Sequence, residues 1–368
     1  MNHISELAQL GTSTWLDDLS RERLVSGNLK EIISTKSIVG VTTNPAIFAA
    51  AMTNGTAYDA ELATLKESKA SADEAVYALA IEDVQNACDL FADIYSSTDG
   101  ADGRVSIEVD PRISDDPTAT LEQARELWSK VDRPNVMIKI PATTGSLLAI
   151  EDALAEGISV NVTLIFSVER YRAVIEAFCT GLKRAAESGK DVATIHSVAS
   201  FFVSRLDTEV DKRLEAIGSE QALALRGKAG VANAQRAYAL FQDTLLDDAD
   251  LPEGSHLQRP LWASTGVKNP DYPATLYVSE LAGPHTVNTM PEKTIDAVLD
   301  QGNLHGDALS DSRETAEGVF AQLNEVGIDF DDVFAVLERE GVEKFVAAWN
   351  ELLASIEERL ASFLDGSK

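Results

Sequence analysis

Val136-Met137-Ile138-Lys139-Ile140-Pro141 is an apolar run with a single lysine inside it. A helical pattern over 145–156 follows it, then a strand pattern over 158–166, then a second helical pattern over 168–188. Working outward, the same alternation continues. Candidate strands at 12–17, 38–43 and 104–110 precede the run, and others at 193–199, 261–265 and 286–290 come after it. Helical stretches at 73–97 and 118–131 lie between them. Eight β-rich segments with helices between predict a (β/α)8 barrel of the α/β class rather than an open sheet.

Two helical excesses exceed a plain barrel. Residues 203–246 are long enough for two helices with a break at Gly218. Residues 311–367 read as three helices broken near Gly327 and Gly341. In the last of these, Phe345, Trp349, Leu352, Leu353, Ile356 and Leu360 fall on one stripe. The plain reading is a helix packed on the barrel, and the alternative is a partner-binding face. Residues 1–368 thus read as one barrel domain, with 311–368 as a helical C-terminal extension.

Composition sets outer bounds. The 368 residues are 45% hydrophobic and 25% charged, an ordinary globular balance. No apolar run approaches the roughly 18 residues of a membrane span, and residues 1–10 lack a basic start followed by an apolar stretch. The two cysteines, Cys88 and Cys179, sit in helix-like apolar segments and read as buried, reduced thiols. Together these features favour the cytoplasm. The formal charge of −29 opposes binding to nucleic acid or an anionic membrane. It also requires that any phosphate site be a local basic cluster. The acidic run 243–253 reads as a solvated loop.

Lys139 carries the chemistry. Strand alternation places it on one face with Met137, opposite Val136, Ile138 and Ile140. In a barrel one face lies in the lumen and the other under helices, and a lysine is rarely buried without a reason. Desolvation disfavours an ammonium, and a free amine can attack a ketone to form a Schiff base. The plain alternative is a lysine snorkelling out at a strand end. In the strand before it, Ser106, Glu108 and Asp110 share one face; in the strand after it, Asn161 and Thr163 do. Such polar faces in a parallel barrel point into the lumen near its C-terminal mouth, where proton carriers are needed.

Other strand ends add candidates, each with a structural alternative. Asp17 ends the first strand; otherwise it caps the helix that follows, although Asp18 is the better cap of the two. Thr42-Thr43-Asn44-Pro45 ends the second, with Asn44 also reading as an N-cap before a proline. Ser200-Phe201-Phe202-Val203-Ser204-Arg205 sets a serine and an arginine at a helix start, a plausible phosphate cradle. The alternative there pairs Arg205 with Glu209. Lys268, after the seventh strand, lies in the usual phosphate loop of such barrels. The five histidines show no i, i+4 pair, and no glycine-rich nucleotide loop follows a strand, so neither a metal nor a cofactor is expected.

Together these segments resemble the transaldolase family. The most specific are Gly40-Val41-Thr42-Thr43-Asn44-Pro45, Ser106-Ile107-Glu108-Val109-Asp110, Ile138-Lys139-Ile140-Pro141-Ala142-Thr143, Asn161-Val162-Thr163-Leu164-Ile165-Phe166-Ser167 and Ser200–Arg205. The longer middle and C-terminal additions look like the extended bacterial branch, and Lys268 stands where better-known members carry an arginine. The resemblance implies a cofactor-free transferase of the pentose phosphate pathway acting on sugar phosphates. It implies Lys139 as the Schiff-base lysine and Asp17 as the acid/base at the C4 hydroxyl. Glu108 and Thr163 would hold the relay water. Asn44, Asn161, Thr42 and Ser106 would surround the dihydroxyacetone fragment, Ser200, Arg205 and Lys268 the phosphate, and Phe202 would keep the site dry. Glu108 and Phe202 separate the chain from the related fructose-6-phosphate aldolases, which carry glutamine and tyrosine there. Two rival readings stand beside this one: a Schiff-base aldolase that releases dihydroxyacetone, and a non-catalytic barrel that binds sugar phosphates. Monomer and homodimer are both left open.

Overall fold

Eight parallel strands close into a barrel in chain order: β1 (Thr12–Leu16), β2 (Gly40–Val41), β3 (Arg104–Glu108), β4 (Val136–Pro141), β5 (Val160–Ile165), β6 (Ser197–Phe202), β7 (Arg259–Ala263) and β8 (Thr286–Met290). β8 returns to pair with β1, so no strand edge remains. The computed structural model describes residues 2–53, 55–247 and 250–362. Among them no helix is long and apolar enough to cross a membrane.

The strands have two buried faces, as a barrel demands. Ile107, Val136, Ile138, Ile140, Val160 and Val162 face outward into the layer beneath the helices. Trp15, Met137, Val198, Leu261 and Val287 fill the lower lumen. Two residues further along several of these strands the lumen turns polar. Met137 gives way to Lys139 in β4, and Val198 to Ser200 in β6. The apolar layer is a plug, and the polar layer above it is a floor for chemistry.

Several expectations move by a few residues. β2 is shorter than 38–43. β6 begins at Ser197 rather than 193, because Val192–Thr194 forms a 3₁₀ turn capped by Asp191. β7 starts two residues before 261. The stretch 73–97 breaks at Phe91 into Ala72–Leu90 and Ala92–Ser97. Residues 203–246 hold three α-helices, not two: Ser204–Ile217, Glu220–Leu223 and Ala229–Phe241. Gly218 does break the first, in a left-handed conformation at φ 70°. A π-helical turn, Gln242–Leu246, takes up the start of the acidic run because Leu245 is buried; residues 248 and 249 lie outside the described residues.

The C-terminal extension needs the larger correction. Gly327 separates helix Arg313–Glu325 from the next, but Gly341 does not end a helix. It lies inside Phe330–Ser362, a single helix of 33 residues. A Cβ at Gly341 would lie 3.1 Å from Phe166 and 3.3 Å from Leu164, so the glycine is there for close approach rather than for a break. The predicted stripe from Phe345 to Leu360 is buried, and the helix packs on helix Pro45–Thr53 and on Ala72–Leu90. The expectation for 363–367 falls outside the described residues. Cys88 is buried, whereas Cys179 is only half-buried; both are free thiols.

Candidate active site

Register places the site. Glu108 of β3 pairs with Lys139 of β4, and Lys139 pairs with Asn161 of β5. All three point into the lumen at the same level, and Lys139 is only 4% exposed. Its Nζ donates to the Thr43 carbonyl at 2.9 Å and lies 3.5 Å from Glu108 Oε2. The snorkelling alternative therefore fails: the ammonium stays inside the barrel.

The carboxyls around it are not in ordinary states. Burial pushes the Glu108 carboxyl up to about 7, against the opposing pull of Lys139. Neither Glu108 oxygen has a hydrogen-bond partner, and the Thr163 hydroxyl is likewise buried and unpaired. Asp17 follows β1 at the mouth. Burial raises its carboxyl, again against Lys139 and a hydrogen bond from Thr42 Oγ1 at 2.7 Å. The helix-cap alternative for Asp17 is overturned, and so is Asp18 as the cap. Ser20 accepts from Arg23 N–H at the start of helix Arg21–Val25, while Asp18 pairs with Arg23 at 2.7 Å.

Hydrogen bonds tie the lumen residues into a line. Asn161 Nδ2 donates to Ser106 Oγ at 3.0 Å, and Ser200 Oγ donates to Asn161 Oδ1 at 2.7 Å. Ser200 is thus engaged inside the lumen, next to Asn161. Asn44 does two things: its Oδ1 accepts from the Ile47 N–H at 3.0 Å, capping helix Pro45–Thr53, and its side chain borders the lysine.

Arg205, at the start of helix Ser204–Ile217, does not pair with Glu209. Glu209 is taken by Arg213 at 2.8 Å. The Arg205 guanidinium instead lies over the Phe202 ring at 4.9 Å, with one nitrogen buried and unpaired. Burial lowers its affinity for a proton, and Asp17 and Glu108 oppose that shift. A buried guanidinium nitrogen without a partner is costly, and an incoming anion would satisfy it. Lys268 is exposed and lines a neighbouring hollow with Ser204 and Asp207, not the wall around Lys139. Its ammonium is depressed by partial burial and then by Arg205 and Lys344, which marks a local cationic cluster on an acidic protein.

Asp17, Thr42, Asn44, Lys139, Phe202 and Arg205 border one cavity of about 90 Å³, to which Ser200 also contributes. Glu108, Ser106, Asn161 and Thr163 sit behind that wall, within the lumen. Four further residues on the wall were not expected: Ala263 at the end of β7, Ser264, Thr289 and Phe345. Thr289 of β8 shares a hydrogen bond with Thr42 at 2.5 Å, and the alternation of β8 marks it as a lumen residue beside Val287. Ser264 bonds Ser204 at 2.8 Å from a left-handed conformation, φ 56°. Phe345 comes from the C-terminal helix, and no local pattern distinguishes it from the core stripe to which it belongs.

Known proteins are similar to this chain over almost its whole length. The transaldolase/fructose-6-phosphate aldolase family model matches residues 14–356. The transaldolase of Mycobacterium tuberculosis is 58% identical over 356 residues, 95% of each chain. That of Mycobacterium leprae is 58% identical over 364 residues, 98% of this chain and 97% of its own. That of Mycolicibacterium paratuberculosis is 57% identical over 364 residues, 98% of each. With a barrel of the right topology, a lysine buried in its lumen and relatives that match from end to end, the chain belongs to the transaldolase/fructose-6-phosphate aldolase family.

Proposed function

We propose that this chain, a transaldolase, moves a dihydroxyacetone unit from a ketose phosphate to an aldose phosphate through an imine on Lys139. Fructose 6-phosphate and sedoheptulose 7-phosphate are the donors, and erythrose 4-phosphate and glyceraldehyde 3-phosphate the acceptors, within the non-oxidative pentose phosphate pathway. The observation that carries this reading is the enclosed Lys139 Nζ, 3.5 Å from a carboxyl that titrates near 7.

The steps follow from the groups present. The Lys139 amine attacks the C2 carbonyl, and loss of water leaves a protonated imine. Asp17 takes the proton of the C4 hydroxyl, the C3–C4 bond breaks, and its electron pair moves into the imine, which becomes an enamine. The shortened aldose phosphate departs. The acceptor aldehyde then bonds to the enamine carbon, Asp17 returns its proton, and water releases the new ketose. The protonated imine is itself the electron sink, so no other electrophile is required. Glu108, poised near neutrality, shuttles protons through a water held with Thr163 during imine formation and hydrolysis. Asn44, Thr42, Ser106 and Asn161 hold hydroxyls of the dihydroxyacetone unit. Ser200, bonded to Asn161, extends that shell toward the phosphate. Arg205 anchors the phosphate, with Lys268 at the rim.

Borohydride reduction with fructose 6-phosphate tests the central step. Label is expected on Lys139 alone, and Lys139→Ala is expected to fold and lose essentially all turnover. Label on any other lysine overturns the assignment. Assay without an acceptor aldose separates transfer from simple aldol cleavage.

A further inference from the structure

The cavity at Lys139 is about 90 Å³, far below the roughly 300 Å³ at the lower end of small-molecule sites. Its walls are strand ends, the loops that follow them and Arg205 in the first turn of helix Ser204–Ile217, all from the barrel itself, with one addition from the C-terminal extension. Phe345 enters from helix Phe330–Ser362, which closes over the mouth. Its ring centroid lies 5.8 Å from Lys139 Nζ and 5.8 Å from Arg205 Cζ, and the side chain is 4% exposed. Arg205 therefore lies against two aromatic rings, Phe202 at 4.9 Å and Phe345. The helix that carries Phe345 is held in place by the close approach of Gly341 to Phe166 and Leu164 and by the buried Trp349, Leu352 and Ile356.

We propose that Phe345 is a specificity-determining residue of the transfer reaction. Its ring roofs the nucleophile and the phosphate anchor together and keeps water from the enamine between departure of one aldose and arrival of the next. The proposal rests on the imine reading of Lys139. Without the roof, the enamine carbon takes a proton from solvent instead of bonding to the acceptor aldehyde. Water then hydrolyses the resulting imine, the lysine amine is regenerated, and free dihydroxyacetone leaves. The two π faces also partly offset the burial of Arg205, whose Nη1 has no hydrogen-bond partner although the Asp17 and Glu108 carboxyls lie near enough to act on it.

The experiment measures the ratio of free dihydroxyacetone released to dihydroxyacetone transferred, at saturating acceptor, on the full chain. Phe345→Ala is expected to raise this ratio about tenfold, the scale of losing one desolvated cation–π roof. Borohydride with fructose 6-phosphate should still label Lys139 in that variant. Trp349→Phe, one turn along the same helix, should leave the ratio unchanged. A ratio within twofold of the parent in Phe345→Ala, with Lys139 labelled, overturns the proposal alone. An equal rise in Trp349→Phe also overturns it, because the effect is then general loosening of the helix. Absence of label on Lys139 in the parent overturns the imine reading instead. If Phe345→Ala does not fold, Phe345→Val decides on the same criterion.

Discussion

Two buried charge clusters in this protein each leave one arginine nitrogen without a hydrogen bond, Arg21 Nη2 and Arg205 Nη1, and differ in how their carboxylates are paired. Outside the barrel, Arg21 meets Asp83, Glu61 at 2.5 Å and Glu82 at 3.4 Å, and Tyr58 Oη donates to Asp83 at 2.7 Å. The Asp83 side chain is fully buried, and both of its oxygens are bonded. In the lumen, Lys139, Glu108, Asp17 and Arg205 share a site, yet Glu108 has no hydrogen bond and Arg205 has a free nitrogen. The first cluster ties the short helix Arg21–Val25 to Asp59–Glu67 and Ala72–Leu90. The second keeps reactive groups under-satisfied, as a site must if a substrate is to complete it.

Four experiments break or sharpen that contrast, in falling order of effect. The largest separates the two lumen carboxyls. Asp17→Ala and Glu108→Ala should each lose about 10²–10⁴ in turnover. They should fail differently. Asp17→Ala should still form the fructose 6-phosphate adduct and accumulate it, whereas Glu108→Ala should form it slowly throughout. Near-normal turnover of Asp17→Ala would remove Asp17 from the chemistry.

The second targets the bonded cluster. Asp83→Ala leaves Arg21 its ion pairs with Glu61 and Glu82 but strips the buried Arg21 Nε and Tyr58 hydroxyl of their acceptor, and should cost about 3–5 kcal/mol in urea unfolding, with kcat of the folded fraction unchanged. A drop in kcat with intact stability would erase the distinction between the clusters.

The third uses the Glu108 carboxyl. Its folded pKa is raised to about 7 from 4.5, so between those values the folded state holds more protons than the unfolded one. Stability therefore falls as pH rises through that window and levels off above 7. Glu108→Gln should be more stable than the parent at pH 8, by on the order of 2–3 kcal/mol, and indistinguishable near pH 4. Tm measured across that range checks it; a gain largest at low pH would contradict the assignment.

The smallest concerns Arg205. Arg205→Ala should raise KM for phosphorylated donors about 10- to 100-fold, the scale of charge-assisted hydrogen bonds, with kcat less affected. Unphosphorylated dihydroxyacetone donors should lose much less. Equal losses for both would make Arg205 a structural residue.

Much of this was open to reading along the chain. Period-2 alternation carries through a barrel, so the faces of β3, β4 and β5 and the lumen placement of Glu108, Lys139 and Asn161 follow from local pattern, since strand geometry leaves only two directions. Strand ends were less legible, because turns such as Val192–Thr194 depend on capping bonds a few residues long. Tertiary packing alone decided the rest. Gly341 reads as a break yet serves as a contact point against Phe166, because a glycine's meaning depends on what lies opposite it. Arg205 has a carboxylate one helical turn away and ignores it, because Arg213 holds Glu209 and Phe202 holds Arg205. Phe345 is indistinguishable from its stripe-mates in the chain, and only the position of the C-terminal helix over the barrel mouth sets it above the reactive lysine, a long-range contact that no periodicity encodes.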